Sequence, residues 1–68
     1  MKSAQLSRSK RLQRVRNVLL DGLRHTTRDI VRKAHVMAVS ACVSELRDNG
    51  CHIDCERVGD RWYYWMNV

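Results

Sequence analysis

Apolar residues recur along the first third of the chain with a helical period. Leu12, Val15, Leu19 and Leu23 fall at i, i+3, i+7 and i+11, with Val18 and Leu20 flanking them. That is the spacing of one buried helix face. The helix begins near Ser9, with Ser7 or Ser9 as its cap, and Gly22 is placed to end it in the left-handed conformation. Lys10, Arg14 and Asn17 stack on its polar side. Leu23, Arg24 and His25 are too few for another helical turn and predict a short strand. Thr26-x-x-Asp29 has the form of a capping box. It opens a second helix with Ile30, Val31 and Ala34 on one face. His35 and Val36 form a turn, and a third helix is expected from Met37 to Asp48. Val39, Val43 and Leu46 face its inner side with Cys42 beside them, and Asn49-Gly50 stops it.

The period then changes. Cys51, Ile53 and Cys55 alternate with His52, Asp54 and Glu56, and Trp62, Tyr64 and Met66 alternate with Tyr63 and Trp65. Strict alternation is the mark of strands, and Gly59-Asp60 between them predicts a two-residue hairpin turn. Trp62, Tyr64 and Met66 are expected to cover the core. Tyr63 and Trp65 then lie on the outer face, either open as a partner-binding patch or covered by the first helix. The expected fold is α+β, three helices plus a C-terminal β-hairpin, with a third short strand at 23–25. One domain spans 9–68, preceded by a flexible basic arm over 1–8. At 68 residues the core is small and the stability margin thin.

Charge sharpens this picture. The chain carries 13 Lys and Arg against 7 Asp and Glu. The whole excess of +6 resides in residues 1–16, where Lys2, Arg8, Lys10, Arg11, Arg14 and Arg16 have no acid among them. A basic arm on a near-neutral body is an electrostatic footprint for nucleic acid, because uncompensated like charge repels itself until a polyanion relieves it. The alternative is a solvated terminus that keeps a small protein soluble.

The order helix, short strand, helix, turn, helix, hairpin resembles the winged helix-turn-helix family. The echoes are Thr26-Thr27-x-Asp29-Ile30-Val31, then Val39-Ser40-x-x-Val43-Ser44-x-Leu46-Arg47, then Gly50 and the Arg57–Arg61 hairpin tip. The run VSxxVSELRxxG looks most like small phage and prophage winged-helix proteins. The resemblance covers about residues 11–66 and implies a transcriptional regulator that binds double-stranded DNA. Its third helix would enter the major groove, and its hairpin wing would touch the backbone or minor groove. Two features depart from the family pattern. His35 stands in a turn that commonly holds Gly, and the outward positions Met37, Ala38, Ser40, Ala41 and Ser44 are small or apolar where polar or basic residues are common.

From Val36 to Leu46 there is no Lys, Arg, Asn or Gln, the residues that make most base-specific hydrogen bonds. Specificity from this helix should therefore be modest. It would rest on Ser hydroxyls, Met37 and methyl groups that meet thymine. Affinity is expected from Lys10, Arg11 and Arg14 near the arm, Thr27, Arg28, Arg32 and Lys33 on the second helix, Arg47, and the wing residues Arg57 and Arg61. Phosphate contacts of this kind fix position without reading sequence. The competing reading of the small face Ala38, Ala41 and Ser44 is a docking surface for a second copy or for a host or phage protein. An excisionase-like recombination accessory factor is a further alternative with the same fold.

Other chemistry is not expected. Cys42, Cys51, His52 and Cys55 invite a zinc reading, but Cys42 falls on the core side of a helix, and alternation points His52 away from Cys51 and Cys55. No acid–base set converges, so an enzyme is not expected. No cofactor is called for. No apolar run is long enough to cross a membrane. The opening MKSAQLSRSKRLQ has no leader-like apolar stretch, and three cysteines are an odd count that fits reduced thiols. A cytoplasmic location, in a bacterial host cell, follows as the expectation.

Overall fold

The computed structural model describes residues 5–67. The elements are a 3-10 turn (Leu6–Arg8), α1 (Lys10–Leu19), β1 (His25–Thr26), α2 (Thr27–Ala34), α3 (Val39–Asp48), β2 (Ile53–Val58) and β3 (Arg61–Met66). They make an α+β domain of three helices and a three-stranded antiparallel sheet in the order β1-β3-β2.

Each helix has a local cause. Ser9 caps α1, its side chain accepting from the Leu12 amide. Helix α1 buries Leu12, Val15 and Leu19 completely, and Gly22 follows at φ +72°. Leu23 does not join this stripe. The helix ends before it, so Leu23 leaves the helical phase and lies 63% exposed. At the start of α2 both arms of the capping box form: Thr26 Oγ1 accepts from the Asp29 amide, and Asp29 Oδ2 accepts from the Thr26 amide. Ile30 and Ala34 are its buried residues. Helix α3 begins at Val39, with Ala38 as an N-cap that offers no side-chain acceptor. Met37 and Ala38, expected inside the helix, form its lead-in instead. Without a Ser, Thr, Asp or Asn there, nothing holds an extra turn.

Sheet register fixes the faces. Ile53 pairs with Met66, Cys55 with Tyr64 and Arg57 with Trp62, while His25 pairs with Tyr64 from the other side. Directly opposed residues share a face, so Ile53, Cys55, Arg57, Trp62, Tyr64 and Met66 form the inner row. The third strand is thus real but sits at His25–Thr26 rather than at 23–25. Only the base of the hairpin meets the helices. Ile53, Tyr64 and Met66 are buried against Val43, Leu46, Leu12 and their neighbours. Trp62 has the inward phase that its alternation predicts, yet it is 45% exposed. The ribbon outruns the helical body, and no core lies beneath its tip. On the opposite face Tyr63 and Trp65 are half-buried. Trp65 is covered by Arg24, whose guanidinium lies 4.4 Å from the ring centroid. Arg24 also pairs with Glu56 at 3.1 Å.

Residues 1–4 of the basic arm, including Lys2, lie outside the described residues. The segment after them is tied down. The Leu6 amide donates to Asn49 Oδ1 at 2.9 Å, its carbonyl accepts from Gln13 Nε2 at 3.0 Å, and its side chain rests on the core.

Candidate nucleic-acid interface

The arginines separate by function in the fold. Arg11 lies against α3: Nη1 donates to Cys42 Sγ at 2.9 Å and Nη2 to Glu45 Oε2 at 2.6 Å. The carboxylate of Glu45 holds the Arg11 guanidinium above its ordinary pKa. Arg14 Nε donates to the Ala34 carbonyl at 2.8 Å, a cation placed on the C-terminal carbonyls of α2. Arg47 donates from both Nε and Nη2 to the Ile53 carbonyl, at 3.0 and 2.7 Å, and so clips the end of α3 to the start of β2. Arg32 pairs with Asp29 at 3.3 Å, and Arg57 Nε donates to the Gly59 carbonyl within the hairpin turn. The side chains of Arg28 and Arg61 are exposed and make no hydrogen bond or ion pair with any described residue.

Those two arginines line one end of a concave surface in two adjoining parts. Its first part is lined by Thr26, Thr27, Arg28, Asp29, Asp60, Arg61 and Trp62, between the start of α2 and the hairpin tip. The second part lies between α3 and the inner row of the hairpin. It is lined by Met37, Ala38, Ser40 and Arg47 with Cys55, Trp62 and Tyr64. Thr27 and Trp62 belong to both parts, so the two join. The floor of the second part is apolar, and Arg47 is the basic residue on its edge.

Of the residues marked in the sequence, Thr27, Arg28, Met37, Ala38, Ser40, Arg47 and Arg61 come together here. Ala41 and Ser44 are exposed on α3 beyond the groove. Lys10, Arg11 and Arg14 belong to α1 and line neither part. Two of these three spend their donors inside the fold, while Lys10 stays exposed without a described partner.

Trp62, Cys55 and Asp60 are groove residues that sequence reasoning did not mark. For Trp62 and Cys55 the signal was present in the alternation, since both share a phase with Tyr64. What alternation does not carry is how far the ribbon extends past the helices. Asp60 is an acid among the rim arginines and opposes any anion bound there. Its neighbour Asp29 is already committed to the α2 cap. The Thr26 amide, donating to the Asp29 carboxylate, holds its pKa below the ordinary value.

The cysteines are dispersed by burial: Cys42 is buried, Cys51 half-buried and Cys55 exposed, all as free thiols. No helix among the described residues is long and apolar enough to cross a membrane. Compared with family models, curated proteins and solved structures, the chain matches none.

Proposed function

We propose that this chain is a winged helix-turn-helix protein that binds double-stranded DNA and acts as a transcriptional regulator of the small phage or prophage type. One observation carries the reading. Arg28 and Arg61, whose side chains have no partner among the described residues, line the cleft between the start of α2 and the hairpin tip, which adjoins the cleft between α3 and the hairpin at Thr27 and Trp62. The element order supports it, because helix, short strand, helix, helix and hairpin follow one another as the resemblance expects. In this reading α3 approaches the major groove, and the ribbon from Arg57 to Trp62 lies along the adjacent backbone. Arg28 and Arg61 neutralise phosphates, Thr27 adds a hydroxyl and an amide at the start of α2, and Arg47 steadies the ribbon against the helix.

Phosphate neutralisation makes affinity fall steeply with salt. The test is a fluorescence anisotropy titration of a labelled duplex at 50 and at 200 mM salt, conditions at which counterion release separates clearly. Binding that weakens strongly at the higher salt supports the proposal. A duplex that does not bind at the lower salt refutes it.

The exposed Met37, 91% accessible at the mouth of the groove, also favours a second reading, a protein-interaction module. A partner protein would compete with duplex for the same face, and the titration separates the two readings.

A further inference from the structure

Met37 is almost fully exposed, and Trp62 stands nearly half open on the facing ribbon. A chain of this size gains little by leaving two large apolar side chains in water. Both line the same groove, with the methyl of Ala38 between the helix lead-in and the floor. No amide or guanidinium side chain projects from Val36 through Leu46. The rim carries the unpaired side chains of Arg28 and Arg61 on one side and Arg47 at the far end, against Asp60, while Asp29 is committed to the α2 cap and to Arg32. An occupant with anionic groups at its edges and apolar groups in its middle suits this lining. Duplex DNA does this where thymines face the major groove, because the C5-methyl is the one apolar group on the groove edge of a base pair.

We infer that Met37 and Trp62 form a clamp for thymine methyl groups, and that the chain selects T-rich duplex by apolar contact in place of bidentate hydrogen bonding. The inference rests on the duplex-binding reading and names the chemical feature that the same face selects. Trp62 reaches the methyl from the ribbon and Met37 from the helix lead-in. Met37 has an unbranched, polarizable side chain that adapts to either strand of a T·A step. The phosphates on each side fall to the rim arginines. Removing one methyl from the contact costs about fourfold in affinity, the transfer free energy of one buried carbon.

The test uses two polymers that differ only in that methyl: the alternating duplexes poly(dA-dT) and poly(dA-dU). They have the same charge and the same hydrogen-bonding edges. The full chain and the variants Met37→Ala, Met37→Leu and Trp62→Ala are titrated with each. Met37 is exposed enough that its replacement leaves the fold intact, and circular dichroism checks the Trp62 variant.

The expected result is tighter binding of poly(dA-dT) by several-fold. The preference should collapse towards unity in Met37→Ala and Trp62→Ala, survive in Met37→Leu, and leave the salt slope of all four proteins unchanged. Equal, salt-dependent binding of both polymers by the unaltered chain overturns the methyl clamp while leaving the duplex reading in place. A preference that persists in both alanine variants also overturns it. Failure to bind either polymer overturns the duplex reading itself, and the clamp with it.

Discussion

Single residues decide how this small domain is held, and the capping box at Thr26 is the clearest case. Thr26 Oγ1 satisfies the Asp29 amide and Asp29 returns the favour to Thr26. Thr26→Ala should lower stability by about 1 kcal/mol, read as a shift in the urea midpoint. Asp29 gives the same motif a pH dependence. Its folded-state pKa lies below the ordinary carboxylate value, so its contribution is present above about pH 4 and is lost as pH falls through the lowered folded value. Asp21 behaves alike: the His25 imidazole, 3.0 Å away, and the Leu23 amide lower its pKa. Urea midpoints of the natural chain and Asp29→Asn should therefore differ at pH 6, begin to approach each other below about pH 4, and converge once pH has fallen through the lowered folded value. A gap that persists in acid would remove the cap from this account. His35 is the one described residue other than Gly with positive φ, at +55°. A Cβ there costs about 1 kcal/mol, and His35→Gly should raise the urea midpoint.

At the scale of elements, legibility follows how far a pattern depends on tertiary reach. Helix α1 was readable because Leu12, Val15 and Leu19 and the Ser9 cap all lie within the element. The α2 box was readable for the same reason. The start of α3 was not, because apolar Met37 extends the helical period although nothing caps the chain there. Leu23 continues the period of α1 in number only, because it follows the Gly22 stop and leaves the helical phase. Trp62 was assigned to the correct face and the wrong environment, since alternation fixes direction and only the length of the ribbon relative to the helices fixes burial. The groove was half legible. Its α3 wall and rim arginines are in the sequence pattern, whereas the assignment of Arg11 and Arg14 to packing depends on side-chain reach across helices. That division is testable. Arg11 bridges α1 to Cys42 and Glu45 of α3, so Arg11→Ala should cost stability, by about 1 kcal/mol for a half-exposed pair. It should change duplex affinity far less than Arg28→Ala does.

For the whole molecule, charge placement separates the faces. Three arginines pair with acids: Arg11 with Glu45, Arg24 with Glu56, and Arg32 with Asp29. The side chains of Arg28 and Arg61 form no ion pair among the described residues, and Asp60 lines their cleft beside the cap-bound Asp29. Arg28→Ala and Arg61→Ala should each weaken duplex binding and reduce the salt slope by about 1. Asp60→Asn should strengthen binding by removing the opposing charge.

The most direct measurement is a map of amide chemical-shift changes when unlabelled duplex is added to the isotope-labelled chain. Changes are predicted at Thr27 and Arg28, through Met37 to Ser44, and along Arg57 to Trp62, with Leu20, Leu23 and Trp65 on other faces unmoved. A map centred on Leu20, Leu23 and Trp65, or a spectrum indifferent to duplex at low salt, would contradict the proposed interface.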